Sequence, residues 1–324
     1  MIDYDDILTA RDRLTGHAVS TPLLEAPQID AIAGRRVLVK AECLQRTGSF
    51  KFRGAWNRIS ALTHAEGAGG VVASSSGNHA QGVALSCHLR GIAATIVMPA
   101  DAPQAKIDAT RAYGAEIVFY DRAHDDRDAI SASLTEARGA VFVPPFDDPH
   151  VIAGQGTCGL EIAVQARALG VESGTMLVCC GGGGFSSGIA VALERDAPGL
   201  MVRTVEPQNF DDMARSLAMG ERVGNAPGAT SIQDAILSPT PGSITFPIAR
   251  RLFGPGLAVS DKEVLRAMAL AWQWLKIVLE PGGAAALAAA LFRGDALGEG
   301  PVVVTASGGN VDAAMFARAL DSHA

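Results

Sequence analysis

The chain lacks several features that mark common functional classes. Its 324 residues carry a formal net charge of −7, so the sequence does not predict a basic surface for nucleic acid or for an anionic membrane. The first fourteen residues are acidic and amphipathic and do not show the basic and apolar regions of a signal peptide. The longest apolar stretch, AAALAAALF, is too short to span a bilayer. We therefore expect neither a nucleic-acid partner nor a membrane partner.

Aromatic residues and cysteines are also few. Aromatic residues make up 5% of the chain, whereas alanine and glycine are abundant. The cysteines do not show the paired spacing of a disulfide framework or of a structural zinc site. Their odd number and one adjacent pair fit a reducing compartment, so we expect a cytoplasmic protein. They are Cys43, Cys87, Cys158, Cys179 and Cys180.

Short β-branched runs alternate with alanine-rich helical stretches along most of the chain. This alternation predicts an α/β protein with mainly parallel sheets. A segment rich in glycine and proline, residues 220–245, is predicted to form an irregular loop over a site. The predicted strands are 37–42, 70–74, 94–99, 115–120, 140–145, 175–181, 201–207 and 301–309. Ligands bind such sheets at the carboxyl ends of the strands, and three clusters of small and polar residues lie there.

The first cluster is a run of four glycines between a predicted strand and a helix that begins near Ser186 or Ser187. Exposed backbone N–H groups beside a helix N-terminus form a binding site for an anion, above all for phosphate. The sequence lacks the Gly-Lys-Ser/Thr of a P-loop and the glycine or alanine that a dinucleotide turn requires. We therefore expect a single phosphate, with a tight strand–helix turn as the alternative. The glycines are Gly181, Gly182, Gly183 and Gly184.

The other two clusters are weaker signals. One offers hydroxyl, amide and backbone N–H groups at a helix start, which suits a carboxylate but is equally typical of ordinary helix caps. The adjacent His79 is more typical of a cap or of the core than of a catalyst. The cluster at the helix start consists of Ser75, Ser76, Gly77 and Asn78. The other cluster, residues 307–310, repeats the small and polar composition after the last predicted strand.

One lysine has unusual neighbours for a surface residue. Lys51 lies between Phe50 and Phe52 in the segment TGSFKFRGA. Together with a site for a single phosphate, such a lysine suggests pyridoxal phosphate held as a Schiff base. The segments TGSFKFRGA, SSGNHAQGVA, VIAGQGT, GGGG, LEPGGAAALAA and SGGNVD occur in the order found in fold-type II pyridoxal-phosphate enzymes. The chain most resembles their serine/threonine dehydratase and serine racemase branch, over about residues 15–315.

The resemblance implies an architecture of two open twisted α/β domains with the cofactor in the cleft between them. Residues 1–65 and 148–324 would form the large cofactor-binding domain, and residues 66–147 a small inserted domain. The chain ends soon after SGGNVD, so we expect a short form without a regulatory domain. A homodimer is also expected from the resemblance.

The resemblance assigns roles to particular residues. Lys51 would carry the cofactor, Phe50 would lie against its ring, and Asn78 would contact the ring 3′-oxygen. Ser307 would face the pyridine nitrogen, and its hydroxyl does not strongly favour a protonated ring, which suits β-elimination better than transamination. The implied cofactor-binding residues are Phe50, Lys51, Asn78, Gly181, Gly182, Gly183, Gly184, Glu280 and Ser307.

The implied catalytic residues are Lys51 and Ser76. Lys51 would remove the α-proton, and Ser76 would be the acid on the opposite face, which would also permit some racemisation. Arg127 falls where the racemase-like branch has an arginine near the pocket, and it could pair with a second substrate carboxylate. Its context, DDRDAI, fits a solvated helix face better. The residues expected to bind the substrate are Ser75, Ser76, Gly77, His79 and Arg127.

A possible metal site follows another predicted strand, in VEPQNFDD. The carboxylates of Glu206 and Asp212 could bind a hard cation together with the carbonyl of Phe210 and water. The racemase-like branch carries a divalent metal at matching positions, which implies Mg²⁺, Mn²⁺ or Ca²⁺. The alternative is a turn with solvated carboxylates.

The function that these features predict is a pyridoxal-phosphate-dependent dehydratase. It would eliminate water from a 3-hydroxy amino acid, such as L-threonine or L-serine, and give a 2-oxo acid and ammonia. Phe146 stands where serine racemases have asparagine, which is more typical of threonine dehydratases. 3-Hydroxyaspartate dehydration and serine racemisation stay open, as do cysteine-synthase-like β-replacement and non-catalytic phosphate binding.

Overall fold

The fold consists of two sheets, described here from a computed structural model covering residues 2–322. A six-stranded sheet has the order β1-β2-β10-β7-β8-β9, and a four-stranded sheet has the order β5-β4-β3-β6. The strands are β1 (Leu23–Leu24), β2 (Val37–Lys40), β3 (Val71–Ser74), β4 (Ala94–Pro99), β5 (Glu116–Tyr120), β6 (Val141–Phe142), β7 (Gly174–Cys179), β8 (Leu200–Pro207), β9 (Leu257–Val259) and β10 (Val302–Thr305).

Helices alternate with these strands. They are α1 (Tyr4–Leu14), α2 (Pro27–Ala33), α3 (Lys51–Ser60), α4 (His64–Gly67), α5 (Asn78–Arg90), α6 (Gln104–Ala112), α7 (Arg127–Arg138), α8 (Pro149–Ala168), α9 (Gly184–Asp196), α10 (Asp212–Met219), α11 (Thr245–Leu252), α12 (Asp261–Leu270), α13 (Pro281–Phe292) and α14 (Ala313–Asp321). A π-helical turn follows α12 over Ala271–Leu275. Within residues 2–322, no helix combines the length and the apolar character needed to cross a membrane.

The predicted α/β architecture with mainly parallel sheets is confirmed. Strand β1 pairs with β2 in antiparallel fashion, and every other strand pairing recorded between named strands is parallel. All eight predicted strands are present, and six of them are one to five residues shorter than predicted. The sequence analysis missed β1 and β9, which span two and three residues and are too short to show a periodic pattern.

The strand sequences explain why both sheets are covered on both faces. Strands β2, β3 and β10 are buried at every residue, as near-continuous runs of β-branched residues require. Helix α13 is alanine-rich and buried along nearly its whole length, and its small side chains let it pack closely against β7, β8 and β10.

The two sheets divide the chain by position. Strands β3 to β6, between residues 71 and 142, form the smaller sheet, and the strands before and after them form the larger one. Helix α3 packs against α5, which follows a strand of the smaller sheet, and against α8, which precedes a strand of the larger. Residues 221–244 contain no α-helix or strand, only the short 3₁₀ turn Asp234–Ile236, in agreement with the predicted irregular loop.

Candidate active site

The carboxyl ends of β3 and β7 face a large cavity of about 1380 Å³. Its walls come from the ends of strands in both sheets and from the irregular loop at 230–239. Lys51, the serine-rich loop after β3 and the four glycines after β7 all line it. The cavity therefore brings together the lysine and two of the three clusters that the sequence analysis singled out.

Lys51 is the first residue of α3, and its ammonium lies in the wall of this cavity. Nζ donates a hydrogen bond to the carbonyl of Pro145 at 2.8 Å and lies 5.2 Å from the centre of the Phe50 ring. Burial lowers the pKa of Lys51 to about 8, against the opposing influence of Cys179 and Glu280. A pKa of about 8 makes the neutral amine, which a nucleophile or a base requires, far more abundant near neutral pH than in an ordinary lysine.

The residues before Lys51 are held in place by the third cluster, after β10. The backbone N–H of Phe50 donates to the carbonyl of Ser307 at 3.1 Å, and the N–H of Gly309 donates to the carbonyl of Gly48 at 2.9 Å. Thr47 has a φ of 59°, which is unusual for a β-branched residue. The amide of Asn310 donates to the carbonyl of Thr47 at 2.7 Å and so secures this turn.

The four glycines form the turn between β7 and α9. Gly183 has a φ of +93°, and a Cβ on Gly182 would lie 2.2 Å from the ring of Phe146, so neither position accommodates a side chain. The carbonyl of Gly182 accepts hydrogen bonds from the Thr245 hydroxyl at 2.6 Å and from the N–H of Gly242 at 3.1 Å. Within residues 2–322, the N–H groups of the four glycines donate to no carbonyl or side chain.

These free N–H groups lie at the N-terminus of α9 and face the same cavity as Lys51. Such an arrangement favours an anion with several acceptor oxygens. Phe185 follows the glycines, and its ring stacks on that of Phe50 with centroids 3.9 Å apart. Phe50 itself is buried and lines the cavity, as a residue packed on a bound ring would have to.

The loop after β3 presents its hydroxyl and N–H groups at the start of α5. Ser75 and Ser76 are half-buried and line the cavity, and the Ser75 hydroxyl accepts a hydrogen bond from the N–H of Gly77 at 3.1 Å. The amide of Asn78 donates to the Glu280 carboxylate and accepts from the Asn310 amide, the latter at 2.7 Å. Asn78 is thus oriented from two sides.

His79 is neutral in this environment. Its Nε2 lies 2.9 Å from the carbonyl oxygen of Val143, so Nε2 carries the hydrogen. Burial and, to a lesser degree, the charge of Lys51 lower the pKa of His79 to about 3. Nδ1 is then only an acceptor, so the imidazole cannot donate a hydrogen bond to a carboxylate from that atom. Any contact of His79 with a substrate carboxylate would have to come from its backbone N–H.

Glu280 and Ser307 lie behind residues that line the cavity, Glu280 against Asn78 and Ser307 against Cys179. Glu280 immediately precedes α13, and burial raises its pKa to about 7. Its Oε2 atom is buried and lacks a hydrogen-bond partner within residues 2–322. Ser307 is buried beside Cys179 and offsets part of the rise that burial causes in the pKa of that thiol. Sequence reasoning assigned no role to Cys179 or to Asn310, and only the folded chain shows that both lie at the site.

Arg127 lies at the rim of the cavity. Its side chain is half exposed and pairs with Asp128 at 2.8 Å, as the solvated-helix interpretation anticipates.

The predicted metal ligand Glu206 lies at the start of α10. It accepts hydrogen bonds from the N–H groups of Met213 and Ala214, both at 2.8 Å. Within residues 2–322, no group of three or more histidine, cysteine, aspartate or glutamate side chains is placed to bind a metal ion.

Comparison with known proteins gives a consistent result. The family model described as pyridoxal-phosphate dependent enzyme matches residues 14–308. The chain is 44% identical to an L-threo-3-hydroxyaspartate ammonia-lyase of Pseudomonas sp, over 98% of each protein. It is 38% identical to a serine racemase of Schizosaccharomyces pombe, over 98% of this chain and 97% of that protein. The crystal structure of a threonine deaminase from T.th. superposes with a TM-score of 0.90 at 41% identity, over 96% of this chain and 99% of that one.

Proposed function

Because the chain belongs to the pyridoxal-phosphate-dependent enzyme family, we propose that it is a dehydratase acting on a 3-hydroxy amino acid such as L-threonine or L-serine. The products would be a 2-oxo acid and ammonia. The observation that carries the proposal is that a lysine with a lowered pKa, a set of free glycine N–H groups and a serine-rich helix start share one cavity.

The residues present fit the cofactor. Gly181 to Gly184 offer its phosphate N–H groups that are unpaired within residues 2–322, and the tight packing against Phe146 leaves room there for the backbone alone. Lys51 would carry it covalently, Phe50 would pack on its ring, and Asn78 and Ser307 would bind its polar edge. When bound, pyridoxal phosphate withdraws electrons from the α-carbon of an amino acid and so acidifies the α-proton. We further propose that it lies between a domain of residues 1–65 and 148–324 and a domain of residues 66–147, each built on one sheet.

Lys51 acts as the base in this proposal. Once the substrate's amino group has replaced it on the cofactor, the freed Lys51 amine would take the proton from the substrate α-carbon, and its pKa of about 8 would let it accept a proton near physiological pH and release it again. The β-hydroxyl would leave with a proton as water, balancing the proton taken from the α-carbon, and the enamine would take up water to give the 2-oxo acid and ammonia. Pro145, whose carbonyl accepts a hydrogen bond from Nζ, holds the amine at the wall of the cavity.

The loop after β3 would hold the substrate carboxylate. Ser75, Ser76 and the first N–H groups of α5 lie at the positive end of that helix, which stabilises a negative charge, and the N–H of Gly77 orients the Ser75 hydroxyl. Ser76 would be the acid on the face opposite Lys51. Neutral His79 adds no charge to this loop, so its contribution would be limited to its backbone N–H.

We also propose a divalent cation, Mg²⁺, Mn²⁺ or Ca²⁺, at Glu206, Asp212 and the carbonyl of Phe210. Oδ2 of Asp212 is buried without a partner within residues 2–322, and burial raises the pKa of Asp212 to about 6. Burial, followed by the charge of Asp212, raises the pKa of Glu206 as well. The partnerless Oδ2 of Asp212 within residues 2–322, together with the second buried carboxylate of Glu206, favours a bound cation. Differential scanning calorimetry of EDTA-treated protein with and without Mg²⁺ tests this proposal. An unchanged melting temperature would contradict it.

A homodimer in the cytoplasm completes the proposal. Trp272, Trp274 and Val278 expose 48%, 38% and 42% of their surface within one short segment, which is typical of an interface between subunits. The five cysteines are free and buried, as expected where thiols stay reduced. Sedimentation of the purified protein tests the dimer.

The experiment that tests the function is 2-oxo-acid release from a panel of hydroxyamino acids by the cofactor-loaded protein. The panel contains L- and D-serine, L- and D-threonine and the diastereomers of 3-hydroxyaspartate, with and without EDTA. We expect release from at least one L-substrate, and Lys51→Ala should abolish both turnover and the visible absorbance of the bound cofactor. If no substrate gives a 2-oxo acid, the dehydratase proposal is wrong. Cysteine formed from O-acetylserine and sulfide would instead favour β-replacement.

A further inference from the structure

Apart from Lys51, every lysine and arginine that lines the cavity is paired with an aspartate that lines it too. These pairs cancel the positive charge that an acidic side chain of a substrate would need. Within residues 2–322 the cavity therefore offers no unpaired cation beside the catalytic lysine. The pairs are Lys106 with Asp234, Arg122 with Asp101, and Arg127 with Asp128, at 2.9, 2.8 and 2.8 Å.

The pair of Lys106 and Asp234 differs from the other two in its burial. The Lys106 side chain is 11% exposed, whereas Arg122 and Arg127 are 53% and 49% exposed. Ion pairs at the exposed rim are screened by water and salt and contribute little. Asp234 is itself 45% exposed, but the Lys106 ammonium is buried, so water and salt screen its charge far less than those of the two rim arginines, and it acts on whatever enters the cavity.

Lys106 stays charged where it lies. Burial alone would lower the pKa of its ammonium, but the carboxylates of Asp234 and Glu280 outweigh that effect and raise it. Nζ donates to Asp234 at 2.9 Å, the only hydrogen bond recorded for it within residues 2–322. Removal of the Asp234 charge would thus leave a buried cation with its main partner missing.

The position of Lys106 connects it to substrate binding. A Cβ on Gly77 would lie 3.2 Å from both Cδ and Nζ of Lys106, so the lysine stem packs against the loop that we expect to bind the α-carboxylate. Asp234 reaches the same point from the 3₁₀ turn of the irregular loop. The pair therefore joins helix α6 to the irregular loop that lines the cavity, next to the loop that we expect to bind the substrate carboxylate.

We propose that the Lys106–Asp234 pair is a specificity determinant that excludes substrates with a second carboxylate. A dicarboxylate would bring another negative charge next to Asp234, while the nearby cation is already neutralised. A hydroxyl or methyl side chain meets no such repulsion. The inference rests on the proposed dehydratase function, since it selects L-threonine and L-serine over 3-hydroxyaspartate at that same site.

The test compares Asp234→Asn with a matched control, Asp101→Asn, in the cofactor-loaded protein. Asn keeps the size of Asp234 but leaves Lys106 free to attract an anion. We expect the ratio of kcat/KM for L-threo-3-hydroxyaspartate to that for L-threonine to rise about tenfold in Asp234→Asn, mainly through KM. Asp101→Asn breaks a rim pair with Arg122 that is exposed to solvent, so the ratio should change less than about twofold.

A second measurement does not depend on turnover. L-Aspartate and L-alanine differ by one carboxylate and lack a β-hydroxyl, so their binding can be followed by the change in cofactor absorbance. Asp234→Asn should bind L-aspartate about tenfold more tightly and leave L-alanine nearly unchanged.

Several outcomes would overturn the inference. A wild-type protein that prefers 3-hydroxyaspartate to L-threonine contradicts it directly, yet leaves the dehydratase function intact. The pair would have a purely structural role if Asp234→Asn changed kcat/KM equally for L-threo-3-hydroxyaspartate and L-threonine, and changed the affinities for L-aspartate and L-alanine equally. If Asp101→Asn changed the kcat/KM ratio as much as Asp234→Asn does, the effect would come from the overall charge of the cavity and not from this pair. If the wild type turns over no hydroxyamino acid, the proposed function fails, and the L-aspartate comparison still decides on the pair.

Discussion

The folded structure predicts a strong dependence on Arg53, two residues after Lys51 on α3. Its guanidinium donates to both oxygens of Glu42, at 2.7 and 2.8 Å, and to both oxygens of Glu161, at 2.7 and 3.0 Å. Lys40 donates to Glu161 at 2.6 Å and completes a network of two cations and two anions. We predict that Arg53→Met strongly destabilises the protein, whereas the double variant Glu42→Gln/Arg53→Met recovers much of the loss.

The magnitude follows from burial. Glu42 and Lys40 are 0% exposed and Arg53 is 1% exposed, so water cannot replace a missing partner. Removal of one member of a buried pair costs about 3–5 kcal/mol in free energy of unfolding. Each single variant leaves one uncompensated charge, while the double variant is again neutral. The double variant should therefore lose less than the sum of the singles, by about 2–3 kcal/mol.

Acidification should remove part of the stability that the same network contributes. Burial pushes the pKa of Glu42 up, but the charge and hydrogen bonds of Arg53 outweigh it, and the net pKa is lowered. A carboxylate whose pKa is lower in the folded than in the unfolded protein contributes stability above the unfolded pKa of about 4.3. That contribution disappears as the pH falls through the folded pKa. The double variant lacks it and should lose less stability on acidification than the wild type.

The assay is urea denaturation of the cofactor-free protein, followed by tryptophan fluorescence. Trp56 is buried on α3 and stacks on Phe52, so its emission reports on the helix that carries Lys51. Wild type, both single variants and the double variant are compared at neutral and at acidic pH. A loss below about 1 kcal/mol for Arg53→Met, or strict additivity in the double variant, would refute the reasoning.

Two further predictions concern the cofactor. The rate at which cofactor-free protein takes up pyridoxal phosphate should rise with pH through about 8. Burial sets the pKa of Lys51 there, and only the neutral amine reacts. An uptake rate, followed by absorbance, that does not change across this pH range would contradict the prediction. Gly182→Ala should weaken cofactor retention at least about tenfold in dialysis, since its Cβ would lie 2.2 Å from the Phe146 ring. Gly298→Ala, with no atom within 4 Å of its Cβ, is the control, and equal losses would refute the argument.

Much of the fold and part of the site followed from local patterns. The runs of β-branched residues predicted β2 to β8 and β10, and their alternation with helices implied parallel sheets. The glycine run predicted a phosphate-binding turn because bare backbone has few other uses at a helix N-terminus. The residue assignments taken from the resemblance stay predictions, although the cavity brings Lys51, Ser76 and Gly182 together.

Other features could not be read from the chain. Lys106 lies in a helix with an ordinary solvated pattern, and nothing in its sequence neighbours indicates a partner 128 residues away. Asn310 donates to Thr47, 263 positions earlier, and this pairing appears only when the turn before Lys51 meets the loop after β10. The tautomer of His79 depends on the carbonyl of Val143, which belongs to another strand end.

There is a physical reason why some features can be read from the sequence and others only from the tertiary structure. Backbone preferences and hydrophobic periodicity act over a few residues, so the sequence by itself determined the element types, the glycine turn and the lack of a basic pattern for nucleic acid. The pKa of Lys51 and the pairing of Lys106 depend on burial and on charges brought in from distant segments. Only the tertiary structure sets those, because desolvation and Coulomb interactions depend on distance in space and not on distance along the chain.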